Sequence, residues 1–85
     1  MPVSVFHGMI INLEYESNIP YIVIEYKEEK AYFNIEGDFV KGIKLPELQK
    51  SCIEAWMVIE KEAIRVNFEK LSNNEEVKWI QPLDL

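Results

Sequence analysis

The chain has 85 residues, of which 48% are hydrophobic and 28% are charged, and this composition excludes a disordered protein and predicts a single globular domain covering residues 1–85. Its 15 acidic and 9 basic residues give a net charge of −6 without a basic patch, so we expect no nucleic-acid partner. A lone cysteine excludes an internal disulfide, and no apolar run approaches the length of a membrane span, so we expect a cytoplasmic protein without a membrane partner.

The first half of the chain has the pattern of an antiparallel β-meander with three to four strands. The predicted strands cover residues 7–16, 21–26, 30–36 and 39–43, and apolar side chains alternate with polar ones in the first and third. Turn residues separate the strands at Ser17-Asn18, Glu28-Glu29 and Gly37-Asp38. Pro20 is compatible only with the start of a strand, because proline cannot donate to a strand ladder.

The second half changes to helical periodicity after Pro46, which suits the first position of a helix. Two apolar stripes recur at three- and four-residue spacing. The first stripe is Leu48, Cys52, Ala55, Trp56, Ile59, Ala63 and Val66, and the second is Ile53, Met57, Ile64, Phe68 and Leu71. A single helix of this length would be long for so small a domain, so we predict two helices, or one kinked helix, with the break near residues 60–62. Residues 77–80 are a possible short last strand. The predicted fold class is therefore α+β, with the helices covering one face of the sheet.

Residues able to carry out catalysis are few. One histidine and one cysteine, on different elements, do not make a metal site, and no phosphate-binding loop is present, so we expect no metal and no cofactor. His7, together with Glu14 or Glu25, is the best candidate for acid–base work, but no nucleophile stands in a known motif around it. We therefore expect a protein that is not an enzyme. The alternative is a divergent or degenerate nuclease-like toxin that uses His7 and nearby glutamates.

The face of the sheet that points away from the helices is more informative. If Ile22, Ile24 and Tyr26 face the helices, the alternate residues point outward. The candidate binding residues on this outward side are Ile10, Tyr21, Val23, Glu25, Tyr32 and Asn34. Exposed apolar and aromatic side chains of this kind are typical of the centre of a protein interface, although cross-strand packing within a sheet also explains them.

The whole chain resembles a family of small prokaryotic proteins, domain-of-unknown-function family 4160. The resemblance rests on residues spread along the chain. They are Met1-Pro2, Phe6, Gly8, Tyr15, Pro20, Tyr26, Lys44-Leu45-Pro46, Trp56, Asn67-Phe68-Glu69 and Ile80-Gln81-Pro82-Leu83. The signature of the family, Asp-His-x-Pro-Pro-His-Phe-His, aligns with the segment around Pro20. Here Ser17 and Asn18 replace the acid and the first histidine, and one residue is missing before Pro20. Tyr21 and Val23 replace the paired histidines, and Ile22 replaces the phenylalanine.

The resemblance implies that this chain is a divergent member without the histidines of the family. Members are often encoded beside a second small protein, which implies a two-gene module of the toxin–antitoxin kind. We therefore expect a small cytoplasmic protein-binding module, the antitoxin-like or regulatory half of such a pair. Its partner would be another small protein, or a second copy of the chain that forms a homodimer through the outward side of the sheet.

Overall fold

The computed structural model describes residues 1–84 and contains five strands followed by two helices. The elements are β1 (Ser4–Phe6), β2 (Met9–Glu16), β3 (Ile19–Tyr26), β4 (Glu29–Phe33), β5 (Phe39–Gly42), α1 (Glu47–Ile59) and α2 (Lys61–Ser72). The strands form one antiparallel sheet in the order β1-β2-β3-β4-β5, so β3 is central. The α+β class and the meander are thus confirmed. The prediction of three to four strands missed β1, because a strand of three residues is too short to show alternation.

Two-residue turns join the first four strands. His7-Gly8, Ser17-Asn18 and Lys27-Glu28 form these turns, and all six residues have φ between 50° and 76°. Such turns match the right-handed twist of the flanking strands. The sequence-based prediction put this last turn one residue too late, at Glu28-Glu29, because lysine and glutamate rarely adopt positive φ. The short turns fix which residues lie opposite one another in neighbouring strands.

One face of the sheet packs against the helices and forms the core. In β2, Met9, Ile11 and Leu13 are buried, as their alternation predicts, and in β3 Ile22 and Ile24 lie on the same side. Alternate side chains of β4 complete this inner face. Trp56 and Ile53 of α1 and Phe68 of α2 cover it, and all three are buried. Burial of an apolar side chain of this size contributes about 1.5–3 kcal/mol.

The helices meet at Glu60, where φ is −101° and ψ is 21°. Backbone hydrogen bonds continue across the junction, from the Glu60 N–H to the Trp56 carbonyl and from the Ile64 N–H to the Glu60 carbonyl. Glu60 nevertheless separates two helices, so the break predicted near residues 60–62 is confirmed. None of the helices in the described part of the chain is both long and apolar enough to cross a membrane.

The two apolar stripes predicted for the helices differ in how far they are buried. The second stripe faces the core, with four of its five residues buried and Leu71 packed against the cluster. The first stripe is only partly buried, because Leu48 and Ile59 are 62% and 65% exposed. A helix lying on a sheet buries one side, so two offset stripes cannot both be covered by it. Pro46 also differs slightly from its prediction, because it precedes α1 and occupies the N-cap.

Residues 77–83 form an irregular segment, the C-terminal strap, and the strand predicted for residues 77–80 is therefore wrong. The Ile80 N–H donates a single backbone hydrogen bond of 2.7 Å to the Val3 carbonyl, which is too little for a strand. Side chains hold the strap. The Asn67 amide donates to the Lys78 carbonyl at 2.7 Å and accepts from the Lys78 N–H at 2.9 Å, while the Trp56 indole donates to the Gln81 carbonyl at 2.8 Å.

Gly42 allows β5 to join the sheet. Its φ is 102°, and a Cβ at this position would overlap the carbonyl oxygen of Lys30. The pairing of β4 with β5 shifts register between Tyr32 and Phe33, so β5 contains a bulge at Val40, two residues before this glycine. All four residues of β5 are exposed.

We predict that Gly42→Ala lowers the free energy of unfolding by about 3 kcal/mol, from positive-φ strain plus the clash with Lys30. Gly37→Ala is the matched control, since Gly37 has a similar φ of 93° but only the flexible end of Met57 nearby. Its cost is therefore about 1–2 kcal/mol. Chemical denaturation of both variants measures the difference, and equal losses would show that the close approach at Gly42 does not matter.

We predict that Asn67→Ala lowers the free energy of unfolding by about 2–3 kcal/mol, because two backbone groups of Lys78 lose a partly buried partner. Asn73→Ala is the control, because Asn73 is exposed at the end of α2, and it is expected to change the stability by less than about 0.5 kcal/mol. Thermal and urea unfolding provide the measurement. Similar stabilities for the two variants would contradict the role given to the strap.

Candidate functional site on the outer face of the sheet

The side of the sheet opposite the helices is the outer face. It consists of the strand residues that alternate with the core: Val5, Ile10, Asn12, Glu14, Glu16, Ile19, Tyr21, Val23, Glu25, Lys30, Tyr32 and Lys41. Within residues 1–84 both helices contribute to the core on the other side, and no element covers this face. Val5, Ile10 and Ile19 are 44%, 37% and 50% exposed, so the outer face presents apolar side chains to solvent.

Five of the six predicted binding residues lie together on the outer face. Ile10 is opposite Glu25, and Val23 is opposite Tyr32. The ring of Tyr21 contacts the ring of Tyr32 edge to face, with 5.7 Å between centroids. Val23 is 1% exposed, although it points outward, and it lies between Asn12 and Tyr32 on the neighbouring strands. Val23 therefore cannot contact a partner directly, and only the more exposed residues of the outer face can do so.

Asn34 lies outside the outer face, contrary to its predicted position. β4 ends at Phe33, and Asn34 belongs to the loop before β5. Its side-chain oxygen accepts a 2.8 Å hydrogen bond from the Asp38 N–H, and its backbone N–H donates to the Asp38 carbonyl at 2.9 Å. The alternation of inward and outward side chains in β4 stops at Phe33, one residue before Asn34. Asn34 therefore stabilises the loop through its hydrogen bonds to Asp38.

Lys41 and Glu16 belong to the site, although the sequence-based prediction did not include them. The Lys41 ammonium lies 5.4 Å from the centroid of the Tyr21 ring and 4.9 Å from that of Tyr32. It also donates a hydrogen bond of 3.2 Å to Glu16 Oε1. These four residues, Glu16, Tyr21, Tyr32 and Lys41, are the tyrosine–lysine cluster. The bulge in β5 sets the register that brings Lys41 opposite Tyr32, and the alternation of residues 39–43 alone does not reveal it.

The electrostatics of the tyrosine–lysine cluster favour a charged lysine. The hydrogen bond to Glu16 raises the pKa of Lys41 above 10.5, and the charge of the same carboxylate acts in the same direction. The side chains of Lys41 and Glu16 are 48% and 55% exposed, so water screens their attraction. The cluster is an exposed arrangement of weak contacts.

His7 and Glu14, one candidate acid–base pair, lie near opposite ends of β2. His7 is in the turn between β1 and β2, whereas Glu14 lies five residues beyond Met9, the first residue of β2, which corresponds to about 17 Å. Glu25 is opposite Ile10, and it is therefore roughly 13 Å from Glu14 along the same strand pair. In residues 1–84 no group of three or more histidine, cysteine or acidic side chains is arranged to hold a metal ion.

A groove of about 690 Å³ lies on the helix side of the molecule. Met57 and Ile64 contribute apolar surface to it, and Glu36, Glu54 and Lys61 contribute charged groups. Residues 35–37 form one wall and the region around the α1–α2 junction forms the other. The sequence did not predict this groove, because the helical stripe that contains Met57 and Ile64 indicates burial and does not reveal a cavity.

The fold and the site define a small α+β protein with a five-stranded meander whose outer face is open. The sequence model of one family matches residues 8–69, and that family is described as Domain of unknown function (DUF4160). The chain belongs to this family, as the resemblance in its sequence predicted. The match covers strands β2 to β5, all of α1 and most of α2, and it ends before the C-terminal strap. No curated protein and no solved structure matches the chain.

We predict that Glu16→Gln lowers the pKa of Lys41 toward 10.5, because the charge-assisted hydrogen bond is lost. The sign follows from the raised folded-state pKa: the contact stabilises the fold below pH 10.5 and is lost as the pH rises through the higher value. NMR titration of the lysine side-chain signals measures this. Glu14→Gln, on the same face but without a hydrogen bond to Lys41, is the control, and an equal shift in both variants would contradict the specific contact.

Proposed function

We propose that the chain is a small protein-binding module that contacts its partner through the outer face of the sheet. The observation that carries this proposal is the uncovered face itself, which presents exposed Val5, Ile10 and Ile19 together with half-buried Tyr21 and Tyr32. Tyrosine is enriched in interfaces because it combines a large apolar ring with a polar tip. Mixed charges at the margin, such as Glu25 opposite Lys30, resemble the polar rim of an interface.

The shape of the outer face favours a protein partner over a small ligand. Small molecules are held in concave sites, and the groove described above lies on the opposite side of the sheet. An open sheet face gains affinity only when a partner brings a large complementary surface. The proposed partner is a small protein, and a second copy of the chain is the other occupant that the face allows. In keeping with the resemblance, the proposed role is the antitoxin-like or regulatory half of a cytoplasmic two-gene module.

Photo-cross-linking from defined positions tests the proposed surface. Benzoylphenylalanine is placed at Ile10, on the outer face, and in a separate protein at Glu62, which is exposed on α2. We expect one discrete adduct from position 10 in the host cell and no such adduct from position 62. Mass spectrometry then identifies the captured protein, and an adduct of twice the chain mass identifies a homodimer.

A double substitution links the adduct to the tyrosines. Tyr21→Thr with Tyr32→Thr keeps β-forming residues in the strands and removes both rings. We expect this variant to remain folded, since cross-strand pairs contribute about 0.2–1 kcal/mol each, and to lose most of the cross-link from position 10. Circular dichroism serves as the control for folding. An adduct that forms equally from positions 10 and 62, or that survives the double substitution, would contradict the proposal.

A further inference from the structure

The tyrosine–lysine cluster has the composition of a binding site for a cation. Two aromatic rings and a carboxylate surround one ammonium group, with Lys41 Nζ 4.9 Å from the Tyr32 centroid, 5.4 Å from the Tyr21 centroid and 3.2 Å from Glu16 Oε1. The electron-rich faces of aromatic rings attract ammonium and guanidinium groups, and a carboxylate adds a direct hydrogen bond. In the free chain its own lysine provides the cation.

Lys41 is held there by contacts that a competing cation can replace. Its side chain is 48% exposed, and its ion pair with Glu16 is at the surface, where such pairs are weak. It belongs to β5, the edge strand, whose four residues are all exposed and whose pairing with β4 contains the bulge. A long flexible side chain on an exposed edge strand can swing into water without disturbing the core.

The charges of the outer face favour a basic occupant. The face carries three glutamates, Glu14, Glu16 and Glu25, against two lysines, Lys30 and Lys41. If Lys41 leaves the cluster, Glu16 loses its partner and acidic groups dominate around the rings. The chain as a whole has a net charge of −6, which favours encounter with a positively charged protein.

We infer that Tyr21, Tyr32 and Glu16 form a binding site for a lysine or arginine side chain of a basic protein partner, and that Lys41 occupies this site in the free chain. The inference rests on the proposed function, since it assigns the chemistry of the partner that the outer face contacts. Lys41 lowers the affinity for that partner, because it must leave before the partner's cation enters. The cluster thus selects for a basic side chain, and the exposed apolar residues around it supply further contact.

Titration with a small cationic probe tests the inference directly. The probe is Nα-acetyl-lysine methylamide, and Nα,Nε-diacetyl-lysine methylamide is the neutral control with nearly the same shape. Binding is followed through the NMR signals of the Tyr21 and Tyr32 rings. We expect Lys41→Met to bind the cationic probe about fivefold more tightly than the unmodified chain, because the competing ammonium is gone. We expect no binding of the neutral probe.

Further variants make the outcome specific. Lys41→Gln is a second variant without the charge, and it is expected to behave like Lys41→Met. Adding Tyr32→Thr to Lys41→Met is expected to abolish the gain. Equal affinity of the unmodified chain and both Lys41 variants, equal binding of the neutral probe, or signal changes away from the cluster would overturn the inference. Cross-linking from position 10 does not depend on Lys41, so its success alongside these failures would leave the proposed function standing and remove only the cation site.

Discussion

The register of β2, β3 and β4 is the constraint on which the rest of the structure depends. Two-residue turns at Ser17-Asn18 and Lys27-Glu28 set this register, and a slip of one residue would reverse every side chain of a strand. With the observed register, one side of the sheet presents an apolar surface to α1 and α2. The same register places Tyr21 and Tyr32 in contact on the other side. Core and candidate site are therefore two consequences of one pairing.

The residues that carry the family resemblance have structural roles where the structure describes their contacts. Trp56 and Asn67 hold the C-terminal strap, and Ile80 joins the strap to Val3. Tyr15 donates a hydrogen bond to the Phe68 carbonyl and contacts its ring. The segment aligned with the histidine signature is different. It forms the turn before β3 and the start of that strand, so the positions of the paired histidines carry Tyr21 and Val23 on the outer face. Trp56, Asn67 and Tyr15 thus stabilise the fold, while Tyr21 and Val23 lie on the outer face.

Local pattern predicted most of the fold but only part of the site. Alternation in residues 9–13 identified the buried side of β2, and the crowding of charge at residues 60–62 marked the helix break correctly. Predictions from the local sequence pattern failed where contacts between distant residues determine the structure. Residues 77–80 look like a strand, but hydrogen bonds from Asn67 to Lys78 and from Trp56 to Gln81 hold this segment as an irregular strap. Val23 points outward as predicted and is nevertheless buried, because its neighbours on adjacent strands cover it. Lys41 lies opposite Tyr32 because β5 contains a bulge at Val40, which the periodicity of the sequence does not predict.

The central claim is that the chain meets its partner through the outer face of the sheet and not through its helices. Intermolecular NOEs between the labelled chain and its bound partner test this most directly. The account predicts NOEs from the Ile10 methyl groups and the Tyr32 ring. Leu48 and Val58 on α1 are 62% and 76% exposed, and they provide equally observable methyl groups on the helix side of the molecule. NOEs confined to those helical residues, with none from Ile10 or Tyr32, would contradict the account.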